Sequence, residues 1–102
     1  MNKQAVPDGH ADRAAIKSGL VVEIGKAMRN QGLSQEEAGR RMGVPQARVS
    51  NLLRGDFSNV SERKLMDCLN RLGYDVEIKV KAAAEPVGRL VLAVTQAPKR
   101  KA

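Results

Sequence analysis

Apolar residues return along this chain first at helical spacing and then at strand spacing, and the change of period divides it. From about Ala11 to Asn30, Leu20, Val21, Ile24 and Met28 recur on one side, with Lys17, Glu23, Lys26 and Arg29 elsewhere, the pattern of an amphipathic helix that Gly32 ends. From Leu33 to Gly55 the sequence LSQEEAGRRMGVPQARVSNLLRG holds two shorter helical patterns about a glycine. Ser34 with Glu37 three residues later makes a capping-box start. Ala38 and Met42 give the first helix an inward stripe, and Gly43 can take the left-handed conformation in which a helix stops. Pro45 suits the first position of the next helix, Gln46 to Arg54. In that helix Val49, Leu52 and Leu53 share the side that docks, while Gln46, Ala47, Ser50, Asn51 and Arg54 share the other.

After a break at Gly55 and Asp56, Ser61 is placed to cap a last helix running to Leu72, with Val60 and Leu65 as a hydrophobic staple. Gly73 ends it. Cys68, between Leu65, Leu69 and Leu72, reads as core. Beyond Gly73 the period falls to two: Tyr74, Val76, Ile78 and Val80 alternate with Asp75, Glu77, Lys79 and Lys81, the signal of a one-faced strand. A second strand-like run covers Arg89 to Thr95, with Pro86 and Gly88 as turn residues between the two.

These patterns predict a mostly α fold of five helices, counting a short turn around Phe57, followed by one or two C-terminal β-strands. The expected core is Leu20, Ile24, Met28, Ala38, Val44, Val49, Leu52, Leu65, Leu69 and Leu72. Four segments follow: a flexible arm over 1–12, where Pro7 and Gly9 discourage regular structure; a helical domain over 13–73; a strand element over 74–95; and a disordered basic tail over 96–102. A lone two-stranded ribbon is marginal in water, and its unpaired edges invite another chain. Pairing across a two-fold homodimer through Tyr74, Val76, Ile78 and Val80 is therefore the expectation; the alternative is packing on the chain's own helices.

Charge narrows the partner. Lys and Arg total 18 against 11 acids, a net charge of +7 over 102 residues, which favours a polyanion through counterion release. Single-stranded nucleic-acid binders rely on aromatic stacking platforms, and this chain has only Phe57 and Tyr74, so duplex DNA is preferred. The polar side of the Gln46 to Arg54 helix suits a major groove: amide side chains bond adenine edges bidentately, and an alanine methyl touches a thymine methyl. Gln46, Ala47, Ser50 and Asn51 are the expected base-edge residues. The bland alternative is an amphipathic hairpin whose polar face is only solvated. The tail residues Lys99, Arg100 and Lys101 read as a solvated end rather than a minor-groove arm.

Other chemistries fare poorly. His10 is the only histidine and Cys68 the only cysteine, so no disulfide framework, cysteine-rich zinc site or nucleophile with its base is visible. Glu36 and Glu37 are adjacent rather than co-facial, Asp75 and Glu77 alternate with Lys79 on a solvated face, and there is no phosphate-binding glycine loop. No enzyme activity, metal or cofactor is expected. No run of apolar residues is long enough to cross a membrane, and MNKQAVPDGHADR has no hydrophobic signal core, so the expected location is the cytoplasm, at the nucleoid of a bacterial cell.

The run LSQEEAGRRMGVPQARVSNLLRG resembles the core of Xre-type (Cro/CI-like) helix-turn-helix repressors. With SERKLMDCLNRLGYDVEIKV following, the chain is similar to HigA-like antitoxins of type II toxin-antitoxin systems. The resemblance implies a recognition helix with Gln46, Ala47 and Asn51 at base edges. It implies Gln35 against a phosphate or Gln46, with Ser34, Arg48 and Arg54 at the backbone or flanking it. Many relatives carry a capping serine where this chain has Pro45. What the resemblance implies for function is a sequence-specific repressor of a palindromic operator that also neutralises a small RelE/HigB-like ribonuclease toxin. The alternative is a stand-alone or phage-type regulator with no toxin partner.

Overall fold

The computed structural model describes residues 10–95, and in them the chain forms four helices: α1 (His10–Gln31), α2 (Gln35–Met42), α3 (Gln46–Leu53) and α4 (Glu62–Arg71). Residues 1–9 of the expected arm and the whole expected tail lie outside the described residues. α1 packs along α4, α2 packs on both α3 and α4, and α1 reaches α3. The expected core residues are buried, apart from the half-buried Val44, and Val21, Ala27, Met42, Val60 and Cys68 join them.

Local sequence explains the helix ends. The Ser34 hydroxyl accepts the Glu37 amide at 3.1 Å while the Glu37 carboxylate accepts the Ser34 amide at 3.0 Å, closing the capping box that starts α2. Gly43, at φ 75°, ends α2 in the left-handed region. Ser61 accepts the Lys64 amide at 3.0 Å at the start of α4. Pro45 sits one place earlier than its fixed φ alone suggested: with ψ 152° it is the cap of α3 rather than its first turn, and it has no side-chain bond to offer the helix. Its carbonyl instead accepts the Arg48 and Val49 amides at 2.9 and 3.3 Å.

The angle between α2 and α3 depends on Gly39, which the sequence pattern did not single out. A Cβ at this position would stand 2.8 Å from the Val44 carbonyl oxygen and 3.5 Å from the Gln46 amide nitrogen. Those are backbone atoms, which cannot swing aside as a flexible side-chain end can. Near the C-terminal end of α2, Gln31 joins three helix termini. Its amide nitrogen donates to the Leu72 carbonyl at 2.8 Å, and its amide oxygen accepts from Arg41 at 3.0 Å.

Two expectations are corrected. The fifth helix around Phe57 is absent among the described residues: the chain there forms turns, with the Val60 amide donating to the Phe57 carbonyl at 3.1 Å. The C-terminal β-strands are absent as well. Tyr74 and Val76 do pack against the core, as one face of an alternating segment would, but Ile78 and Val80 run off its edge, 76% and 93% exposed. The second run lies along α1. Leu92 sits over Gly19, the Leu90 amide donates to the Asp12 carboxylate at 3.2 Å, and Ile16 and Val22 line the same shallow cleft. A strand requires a ladder of paired amides and carbonyls, and no ladder forms when the second run takes a helix as its neighbour.

The glycine geometry gives a prediction in which the sign differs between two helical sites. Gly39→Ala should destabilise the domain by about 1–3 kcal/mol, the usual cost of overpacking. Gly25→Ala, whose added carbon would make ordinary contacts at 3.6 and 3.7 Å, should stabilise it by up to about 1 kcal/mol through helix propensity. Thermal or urea unfolding followed by circular dichroism measures both; equal effects would remove the special role of Gly39.

Candidate nucleic-acid interface

The helix α3 is anchored on one side and open on the other. Val49 and Leu52 are completely or almost completely buried, which fixes its rotation about its own axis. Leu53, expected on the docked side, is 40% exposed and lies over Gly25 of α1 at the border of the core. Gln46, Ala47, Arg48 and Arg54 are exposed, and Ser50 and Asn51 are half-buried. The four expected base-edge residues and Arg54 thus fall on the side away from the core, where helical periodicity put them, and Arg48, which only the family resemblance names, is exposed as well. Arg48 stands to one side, where it joins Pro45, Ala47, Asn51, Asp56, Asn59 and Val60 around a shallow groove between α3 and the connection to α4.

Arg54, the C-cap of α3, folds back along the helix. Its guanidinium donates to the Ser50 hydroxyl at 2.6 Å and to the Asn51 side-chain oxygen at 2.5 Å. Nothing in the spacing alone announced this pairing, although residues three and four apart on a helix are neighbours.

At the start of α2, Ser34 is exposed and Gln35 half-buried, and no hydrogen bond joins Gln35 to Gln46. The Ser34 hydroxyl is engaged by the Glu37 amide, so its first task is capping. The bond from the Ser34 amide, then that from its hydroxyl, and then Arg40 and Arg41 hold the Glu37 carboxyl below its ordinary range. Arg40 pairs with Glu36 at 3.4 Å on the open surface, where such pairs contribute little. Burial raises the Cys68 thiol, which keeps it protonated and makes it a small hydrophobe.

Of the four residues expected at a dimer contact, Tyr74 and Val76 are half-buried in this chain and Ile78 and Val80 are exposed. Tyr74 is tied into the helical domain: its amide donates to the Leu69 carbonyl at 3.0 Å, and its own carbonyl accepts from the Asn70 side chain at 3.0 Å. Among the described residues there is no cluster of three or more His, Cys, Asp or Glu side chains that could hold a metal ion, and no helix is long and apolar enough to cross a membrane.

Two short helices joined by a tight glycine turn, the second offering a polar face to solvent, define a helix-turn-helix unit. Residues 6–81 match the helix-turn-helix domain family, and the chain belongs to it. A solved structure described as an XRE family transcriptional regulator is similar at 29% identity, with a TM-score of 0.74 over 85% of this chain and 98% of the other. The fold is therefore of the Xre type. No curated protein matches the chain.

Proposed function

We propose that the protein is a transcriptional regulator that binds duplex DNA in a sequence-specific manner by laying α3 in the major groove. The observation that carries this reading is the exposed hydrogen-bonding face of α3, backed by a buried hydrophobic face and held at a fixed angle to α2. Likeness to a structure described as an XRE family transcriptional regulator supports it, as does the net charge of +7. Gln46 and Ala47 contact bases from the exposed face, with Ser50 and Asn51 behind them. Arg48 reaches a phosphate, and the first turn of α2, with Ser34 and Gln35, approaches the backbone.

One helix-turn-helix unit reads a half-site, and a two-fold dimer places two recognition helices about 34–36 Å apart on a palindrome. The apolar overhang of Ile78 and Val80 favours a homodimer as the binding unit. The antitoxin reading extends this one and rests on the LNRLGYDVEIKV continuation: the same protein would repress its own operon and neutralise a RelE/HigB-like toxin.

Each part has its own measurement. Against a site selected from random duplexes, Gln46→Ala should lose about 1–3 kcal/mol of discrimination. Arg48→Ala should weaken all duplexes alike and reduce the salt slope by about 1; preference unchanged in Gln46→Ala would reject its base contact. In sedimentation equilibrium, the double substitution Ile78→Asp and Val80→Asp should reduce a dimer to a monomer, and an unaltered mass would move the interface elsewhere. For the antitoxin extension, the reading frame adjacent to the gene should arrest growth when expressed alone and cease to do so when this protein is co-expressed. A harmless neighbour with a functional product leaves a stand-alone regulator.

A further inference from the structure

Asn51 and Arg54 form a single hydrogen-bonded unit on the solvent face of α3, and that pairing alters what the asparagine can read. We propose that the unit recognises guanine rather than adenine. The inference rests on the reading of α3 as the recognition helix and deepens it.

The chemistry follows from the direction of the bonds. A guanidinium donates hydrogen bonds and accepts none. The atom of Asn51 that faces Arg54 at 2.5 Å is therefore the amide oxygen, and the bond is charge-assisted and strong. To read adenine bidentately an asparagine turns both its oxygen and its nitrogen to one base, accepting from the N6 amino group and donating to N7. With the oxygen engaged by a cation on its own helix, Asn51 offers the base its NH2 group.

Arg54 completes the pattern. Its second bond, to the Ser50 hydroxyl at 2.6 Å, holds the guanidinium over the polar face of α3, and its remaining N–H groups add further donors beside the Asn51 amide. The result is a patch in which donors outnumber acceptors: the Asn51 and Ser50 oxygens each already accept one bond from Arg54, while the Asn51 NH2 and three guanidinium N–H groups stay free to donate. Of the four bases in the major groove, only guanine shows two acceptors, N7 and O6, and no donor; adenine and cytosine each present an amino group that such a patch leaves unpaired, and thymine presents a single acceptor beside a methyl. Gln46 is exposed and remains the residue of this face suited to adenine.

The test is selection from a randomised duplex library with the full chain, followed by titration of the selected sequences and their single-base variants. The wild type should prefer guanine over adenine by roughly tenfold or more at one position of each half-site, the scale of one good bidentate contact. Arg54→Ala frees the Asn51 oxygen and should move the preference at that position to adenine. Arg54→Lys keeps the charge but lacks the planar fork, and it should fail to restore guanine. Since Arg54 is exposed, circular dichroism should show both variants folded. A uniform loss of affinity in Arg54→Ala, with unchanged base preference and rescue by Arg54→Lys, would overturn the proposal and make Arg54 a phosphate contact. A wild type that selects sequences clearly but has adenine at that position overturns it while leaving sequence-specific binding intact. A wild type with no sequence preference at all overturns both readings.

Discussion

The missing side chain of Gly39 is the constraint on which the rest of the structure depends. The Val44 carbonyl approaches the backbone of α2 so closely that any β-carbon would stand 2.8 Å from it, and this approach sets how the turn crosses back and where α3 begins. From that point Val49 and Leu52 can enter the core against α2 and α1, and their burial fixes which residues of α3 look outward. The polar face owes its orientation to a backbone contact at the start of α3. Gly43 performs a different service, since its φ of 75° ends one helix without deciding the angle of the next.

The C-terminal ends of three helices are secured by hydrogen bonding and charge. Gln31 reaches from α1 to the Leu72 carbonyl and receives Arg41 from the last turn of α2, so one amide side chain gathers three termini. Carbonyls at helix C-termini lack intrahelical donors and carry partial negative charge. A side-chain donor and a nearby arginine answer both. None of this requires a buried charge, and the buried side chains of the domain are all apolar.

Features confined to one turn of chain were legible in the sequence. The Ser34 and Glu37 capping box, the Gly43 stop and the Ser61 cap all depend on residues within a few positions of one another. The solvent side of α3 followed from periodicity alone. Gly39 did not, because the atom it avoids lies across a turn, and a glycine inside a helical pattern carries no mark of what approaches it. Leu53 followed the apolar period, yet it lies at the border of the core, where the period does not tell burial from coverage of a neighbouring helix. The alternation from Tyr74 to Val80 did not mark a strand: Tyr74 and Val76 pack on the core, but Ile78 and Val80 of the same face are exposed. It could not tell whether an extended segment finds a strand or a helix beside it. Arg54 was placed on the right face, but its partners depend on side-chain direction, which spacing does not supply.

The return of Leu90 and Leu92 to α1 joins residues 78 positions apart, whereas the capping bonds and most of the turn bonds are local. Order in a folding chain tends to follow this difference, since a distant contact must bear the entropy of closing its loop before it gives anything back. The contacts among the four helices do not involve the returning segment, whereas the segment has nowhere to lie until α1 is formed. Held by one hydrogen bond from the Leu90 amide and the half-buried Leu92, it has few of the buried contacts that resist local opening. The chain thus carries a cooperative centre and a separable edge within the same few dozen residues.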